Sequence, residues 1–155
     1  MKNSEIIKTH FYNLMEKYGL SVLRESYSPK VLGNAEVVFT SDVAGIQVVV
    51  DRNQVLISIG NISWSEDSWF ELTDVMGHYA PDQDAYIFLD KEQNEQVSIE
   101  AQVIRTARIL DEYCRPLLEG DFSHTDQIRD LEAKRVTEMK KRFEDISRKV
   151  KTDSA

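Results

Sequence analysis

Three runs of β-branched residues, each alternating with period two, constrain this chain more than any other feature. Ala35, Val37 and Phe39 alternate with Glu36, Val38 and Thr40. Ile46, Val48 and Val50 alternate with Gln47, Val49 and Asp51. Val55, Ile57 and Ile59 alternate with Leu56, Ser58 and Gly60. Successive side chains of a strand point to opposite faces, so each run lays an apolar row on one face of a sheet. With turns at 42–45 and 52–53, the runs read as three antiparallel strands. Val38, Val49 and Leu56 put apolar groups on the second face as well, which predicts partial cover there, by a helix.

Helical patterns flank this block. Ile6, Ile7, Phe11, Leu14, Met15 and Tyr18 form a stripe at helical spacing, with Asn3 or Ser4 as cap and Gly19 as the left-handed terminator. Residues 20–27 alternate weakly and read as a further strand. Ser68 and Glu71 match the capping box, in which a Ser and a Glu three residues on satisfy two orphan amides. They predict a helix starting at Ser65 or Ser68, with Trp69, Leu72 and Met76 on one face and Asp67, Glu71 and Asp74 on the other. Ala85 to Leu89 could be a strand or a helical turn. From 94 to 118 the positions Val103, Ala107, Leu110, Cys114 and Leu117 are again helical, and Pro116 should kink or end the helix just before it. A last helix from Ser123 or Thr125 carries Val136, Met139, Phe143, Ile146 and Val150 in a 3-4-3-4 pattern, with Ile128 and Leu131 out of phase. Residues 151–155 should fray. The fold class that follows is α+β: an antiparallel sheet of three to five strands flanked by helices, with long C-terminal helices.

Two units are expected. Residues 1–120 hold 19 acidic and 10 basic side chains, a net of −9, and form a compact acidic α+β domain. Residues 121–155 hold 8 and 9, and form a charged helix packed on the body or on another subunit, the second arrangement making a homodimer. An acidic body disfavours nucleic acid, which needs a basic face. No apolar run approaches the roughly 20 residues of a membrane span. The first residues lack the apolar core of a signal peptide, and Cys114 is the only cysteine; a cytoplasmic setting is expected.

Between 53 and 90 there is no Lys and no Arg, while Glu66, Asp67, Glu71, Asp74, Asp82, Asp84 and Asp90 are interleaved with Trp64, Trp69, Phe70, Tyr79, Tyr86 and Phe88. An acidic surface carrying rings can steer a basic protein in and give it something to bury. The expected partner-binding residues are Trp64, Glu66, Asp67, Phe70, Glu71, Asp74 and Tyr79, with Trp69 assigned to the core. Acids near a helix start also favour its dipole with no partner involved.

No catalytic, cofactor or metal residue is expected. Asp82-Gln83-Asp84 lacks the remaining calcium-loop ligands. His10, His78 and His124 have no histidine four residues away, and G-x-S-x-G, P-loop and G-x-G-x-x-G patterns are missing. Cys114 lies on an apolar stripe, as an inert thiol does. Lys134-Arg135 and Lys140-Lys141-Arg142, mixed with Glu132, Glu138, Glu144 and Asp145, read as a solvated, ion-paired helix face.

The order helix, Tyr18-Gly19-Leu20, Gly33-Asn34, strand, Asp51-Arg52-Asn53-Gln54, strand, then Trp69 with Leu72 and Val75 resembles a group of small uncharacterised bacterial proteins over roughly the first 80 residues. Some of that group accompany polymorphic toxins as immunity proteins. The resemblance implies a cytoplasmic protein that binds and blocks a cognate toxin, and it brings no catalytic residue; the acidic surface adds that such a partner would be basic. Two other functions stay open. One is an effector chaperone similar to those of type III secretion, acting as a dimer. The other is an enzyme of unfamiliar type built on paired carboxylates.

Overall fold

The computed structural model describes residues 1–153. Its centre is a five-stranded antiparallel meander, β1 (Ser21–Ser28), β2 (Asn34–Thr40), β3 (Ala44–Asp51), β4 (Gln54–Asn61) and the two-residue β5 (Phe70–Glu71), in that order across the sheet. The three period-two runs became β2, β3 and β4. Their in-phase residues, from Ala35 through Ile59, form one buried row per strand. The β3–β4 turn has φ of 49° at Arg52 and 65° at Asn53, the doubly left-handed geometry of a tight hairpin. The β2–β3 turn is tightened by the Ser41 hydroxyl, which accepts from the amides of Val43 and Ala44.

Helices cover the apolar face. The first helix divides into α1 (Asn3–His10) and α2 (Tyr12–Tyr18) at Phe11. The buried stripe of Ile7, Phe11 and Leu14 still runs through both, and the Phe11 ring stacks on Phe39 at 5.2 Å. Neither expected cap forms: Lys2 is the N-cap, and the Asn3 amide instead donates to the Gly33 carbonyl at 2.8 Å. Gly19 ends α2 with φ of 68°, as its position implied. Beyond the sheet come α3 (Leu72–Tyr79), a small hairpin of β6 (Leu89–Asp90) and β7 (Glu95–Gln96), α4 (Ile99–Tyr113), α5 (Arg115–Leu118) and the 29-residue α6 (Thr125–Asp153). The helix expected from residue 94 starts later, at Ile99, where Ser98 caps it by accepting from the Ala101 amide at 3.1 Å. It breaks at Cys114, just before Pro116, which lies in the first turn of α5. Most of 85–89 is neither strand nor helical turn; only Leu89 pairs, in β6. Lys151 to Asp153 remain helical, and the other two residues expected to fray lie outside the described residues.

Three further differences have non-local causes. The capping box at Ser68 does not form. Residues 66–68 make a 3₁₀ turn, Trp69 is extended, and Glu71 rather than Ser68 caps α3, accepting from the Thr73 amide at 2.7 Å. Trp69 therefore shares no helical face with Leu72 and Met76. It lies across the second face of the sheet, where Gly45 and Gly60 stand opposite one another. A Cβ at either glycine would overlap the Trp69 ring, so the pair forms the notch that holds it. The second face is thus covered by Trp69 and the 3₁₀ turn, not by an α-helix. Arg24 ties that turn down, bonding Glu66 at 2.8 Å and Glu36 at 2.9 Å. Burial alone would raise the Glu36 pKa, but hydrogen bonds from Arg24 and Gln47 outweigh it and hold the carboxyl below its ordinary value.

Past β5 the outer edge of β4 has no strand beside it. Side chains take its place: the Ile57 amide donates to the Tyr86 hydroxyl at 2.9 Å, and the Val55 amide to Gln102 Oε1 at 2.9 Å. An edge satisfied in this way is closed to another chain.

Candidate functional site

The expected acidic-aromatic surface exists as a region, but much of it is already occupied. α6 runs antiparallel along α3 and covers it. Ile128 is fully buried and Leu131 packs over Gly77, which has no side chain to hold the helices apart. Arg135 grips Asp74 through two bonds of 2.9 Å, Nε to Oδ1 and Nη2 to Oδ2. Asp74 is buried, and this pairing keeps the Arg135 guanidinium firmly protonated. Nearly two turns earlier, the Arg129 guanidinium sits 4.5 Å from the Phe70 ring centre and 5.3 Å from that of Trp64, and also bonds Glu132 and the Ser68 carbonyl. Trp64 meets Phe70 and Phe122 edge-on at 5.3 and 5.1 Å.

Each expected contact residue can now be placed. Phe70 lies in β5 and is fully buried, so it offers nothing to a partner. Asp74 is buried under Arg135. Glu71 is split between the Thr73 amide and the Tyr86 hydroxyl, which donates to its other oxygen. Burial and the Glu71 charge together push the Tyr86 pKa up, so it remains a donor. Trp64 is half-buried beneath Arg129. The Tyr79 hydroxyl is buried and has no hydrogen-bond partner among the described residues; burial, then the charge of Asp121, raises its pKa. Glu66 is paired with Arg24. Only Asp67 is fully at the surface. Asp67, Glu71 and Asp74 do not share a helical face, because Asp67 belongs to the 3₁₀ turn and Glu71 caps the helix from outside it. The acids looked unpaired because their cations, Arg24 and Arg135, come from far along the chain.

The acidic surface that stays open lies further along. A cleft of about 720 Å³ is lined by Tyr86, Ile87, Phe88, Leu89 and Val97, with Asp84, Asp90, Glu92 and Lys91 at its rim. Ile87 and Leu89 are 42% and 47% exposed. No rim carboxylate has a salt-bridge partner among the described residues. Asp90 is fixed in place by the amides of Glu92 and Gln93. The expected surface ended at Asp90; the wall formed by Glu92 and Val97 was missed, since a two-residue hairpin leaves no periodic signal.

Two more features concern chemistry. His78 Nε2 and His124 Nδ1 share a hydrogen bond of 2.8 Å, joining α3 to the start of α6. Burial, then the neighbouring His124, lowers the His78 pKa. Cys114 is fully buried, and burial pushes its thiol up to about 12, where it is neutral and unreactive. Among the described residues no cluster of three metal-ligating side chains occurs, and no helix is long and apolar enough to cross a membrane. No family model matches the chain, and neither a curated protein nor a solved structure matches it.

Proposed function

We propose that this chain is a non-catalytic interaction protein of the inhibitor or immunity kind, which engages a basic protein partner, such as a toxin, through the acid-rimmed cleft at 84–97. The observation that carries this reading is the pairing of exposed Ile87 and Leu89 with Asp84, Asp90 and Glu92, carboxylates without a salt-bridge partner among the described residues. Exposed apolar groups inside a rim where three carboxylates outnumber the one cation, Lys91, give a partner both a buried anchor and a steering field. Much of the remaining acidic-aromatic surface is committed to α6, so the cleft is the part left for another molecule. A cytoplasmic setting, with neither nucleic acid nor membrane as partner, belongs to the same proposal. A second reading, the dimeric effector chaperone, is favoured by the exposed apolar residues of α6, but the basic side chains beside them oppose pairing of like copies.

The test is capture of partners by the tagged full chain at low and high salt, with mass spectrometry of what elutes. A basic protein recovered at low salt, and lost with Ile87→Glu or with Asp84→Lys and Glu92→Lys together, is the expected result. Capture of the same protein by all three forms would remove the cleft from the proposal.

A further inference from the structure

Beyond Arg135, α6 leaves the body. Val136, Met139, Phe143 and Ile146 follow one another at 3-4-3 spacing and are 39%, 57%, 72% and 61% exposed. Four large apolar side chains in a line on one exposed helix face are uncommon on a surface at rest. The line is narrow, the two-sevenths seam of a helix that packs against one other helix, rather than the broad apolar face of a helix lying in a lipid interface.

The charges beside the seam define the occupant. In a two-helix seam the positions flanking the apolar line face the partner and set its charge. Here Arg135, Lys140, Arg142 and Lys149 hold those flanks, with Ala133 and Ser147 as the neutral members. Between 136 and 150 the acids are Glu138, Glu144 and Asp145, and helical geometry places all three on the outer side, away from the seam. Arg135 is neutralised by Asp74, but Lys140, Arg142 and Lys149 have no carboxylate partner among the described residues. The ion-paired face expected from their interleaving with acids does not form.

A second copy fits poorly. In parallel register the flanks of two copies would offer each other no carboxylate, and antiparallel pairing would set Arg142 against Arg142 and Lys140 against Lys140. A helix with an apolar seam and acidic flanks fits on both counts. We propose that the seam Val136–Met139–Phe143–Ile146 is a docking face for an acidic amphipathic helix of another protein, with Lys140, Arg142 and Lys149 selecting its charge. This surface is separate from the cleft at 84–97 and accepts the opposite chemistry.

The experiment uses the full chain and two synthetic peptides of about three heptads with identical Leu and Ile seams, one with Glu and one with Lys at every flanking position. Anionic phospholipid vesicles serve as a third probe, and sedimentation reports self-association. The expected result is that the Glu peptide binds at least about tenfold more tightly than the Lys peptide. That preference should weaken with salt. Binding should be lost in the Phe143→Ser, Ile146→Ser double variant, which should melt like the parent because both residues are exposed, and retained in Ile87→Glu. Four outcomes overturn the proposal: no binding of the Glu peptide, equal binding of both peptides, binding to vesicles but to neither peptide, or self-association of the unprobed chain that the double variant abolishes.

Discussion

The two halves of α6 are one helix in backbone and two in chemistry. The first, 125–135, buries Ile128, rests Leu131 on Gly77 and sends Arg129 and Arg135 into the body. The second, 136–153, carries more and larger apolar side chains, yet they face outward. Ile128 and Leu131 fall out of phase with the later stripe, and at about 100° per residue the apolar direction turns by roughly 60–70° between the halves. The difference teaches that apolar periodicity shows which face of a helix needs covering, not what covers it. The less regular pair docks on the body, and the more regular stripe is left for something else.

Truncation should separate the halves most widely. Ending the chain after Gly120 removes the buried Ile128, leaves Asp74 unpaired, and should cost more than about 4 kcal/mol, enough to leave many domains unfolded at 37 °C. Ending it after Glu138 should change the urea midpoint by less than about 1 kcal/mol equivalent. Comparable losses from both truncations would dissolve the distinction.

Single substitutions sharpen it. Ile128→Ala should cost about 2–4 kcal/mol in denaturant unfolding, whereas Phe143→Ala should stay within about 0.5 kcal/mol despite its larger side chain. Arg135→Met should cost about 2–3 kcal/mol. Removing one member of a buried pair normally costs more, but Arg135 is a third exposed and water can reach the site. Restoring the pair's balance with Asp74→Asn in the same chain should recover part of that loss.

The smallest effect concerns pH. The folded His78 pKa lies below its ordinary value because burial and His124 disfavour the imidazolium. Below about pH 6.5 the unfolded chain therefore binds more protons, and stability should fall as pH drops through that value toward the folded one. His124→Gln should flatten this slope between about pH 7 and 5.5, read from urea midpoints. The Glu36 contribution has the same sign but is lost at lower pH, in the carboxylate range. An unchanged slope would show that burial alone, and not His124, lowers the His78 pKa.

Legibility followed the range of the interactions. The strands were readable because alternation is local and each row has one face to bury. The existence of α4, its break before Pro116 and the terminator Gly19 were readable for the same reason, though α4 starts at Ile99 and not near 94. Ser68 and Glu71 misled because their spacing matches a helix start. The segment is instead fixed by Gly45 and Gly60, more than eight residues away, and by Arg24 on another strand. The acids of 66–74 looked available because a window without Lys or Arg says nothing about cations that arrive from 24 and 135. Tyr86 and Gln102, which close the edge of β4, gave no signal, since a single side chain that replaces a strand has no period. His78 and His124 meet only because α6 folds back along α3.

The central claim is that α6 changes from structural to available near Arg135. Residue-resolved amide hydrogen exchange on the full chain tests it most directly. A helix supported by packing exchanges only when the body opens, whereas an isolated helix of this length is marginal in water. Slow exchange through 128–135, followed by a drop of at least about tenfold in protection beyond Met139, is the expected result. Uniform protection through Ile146 would contradict it, because the stripe would then already be covered.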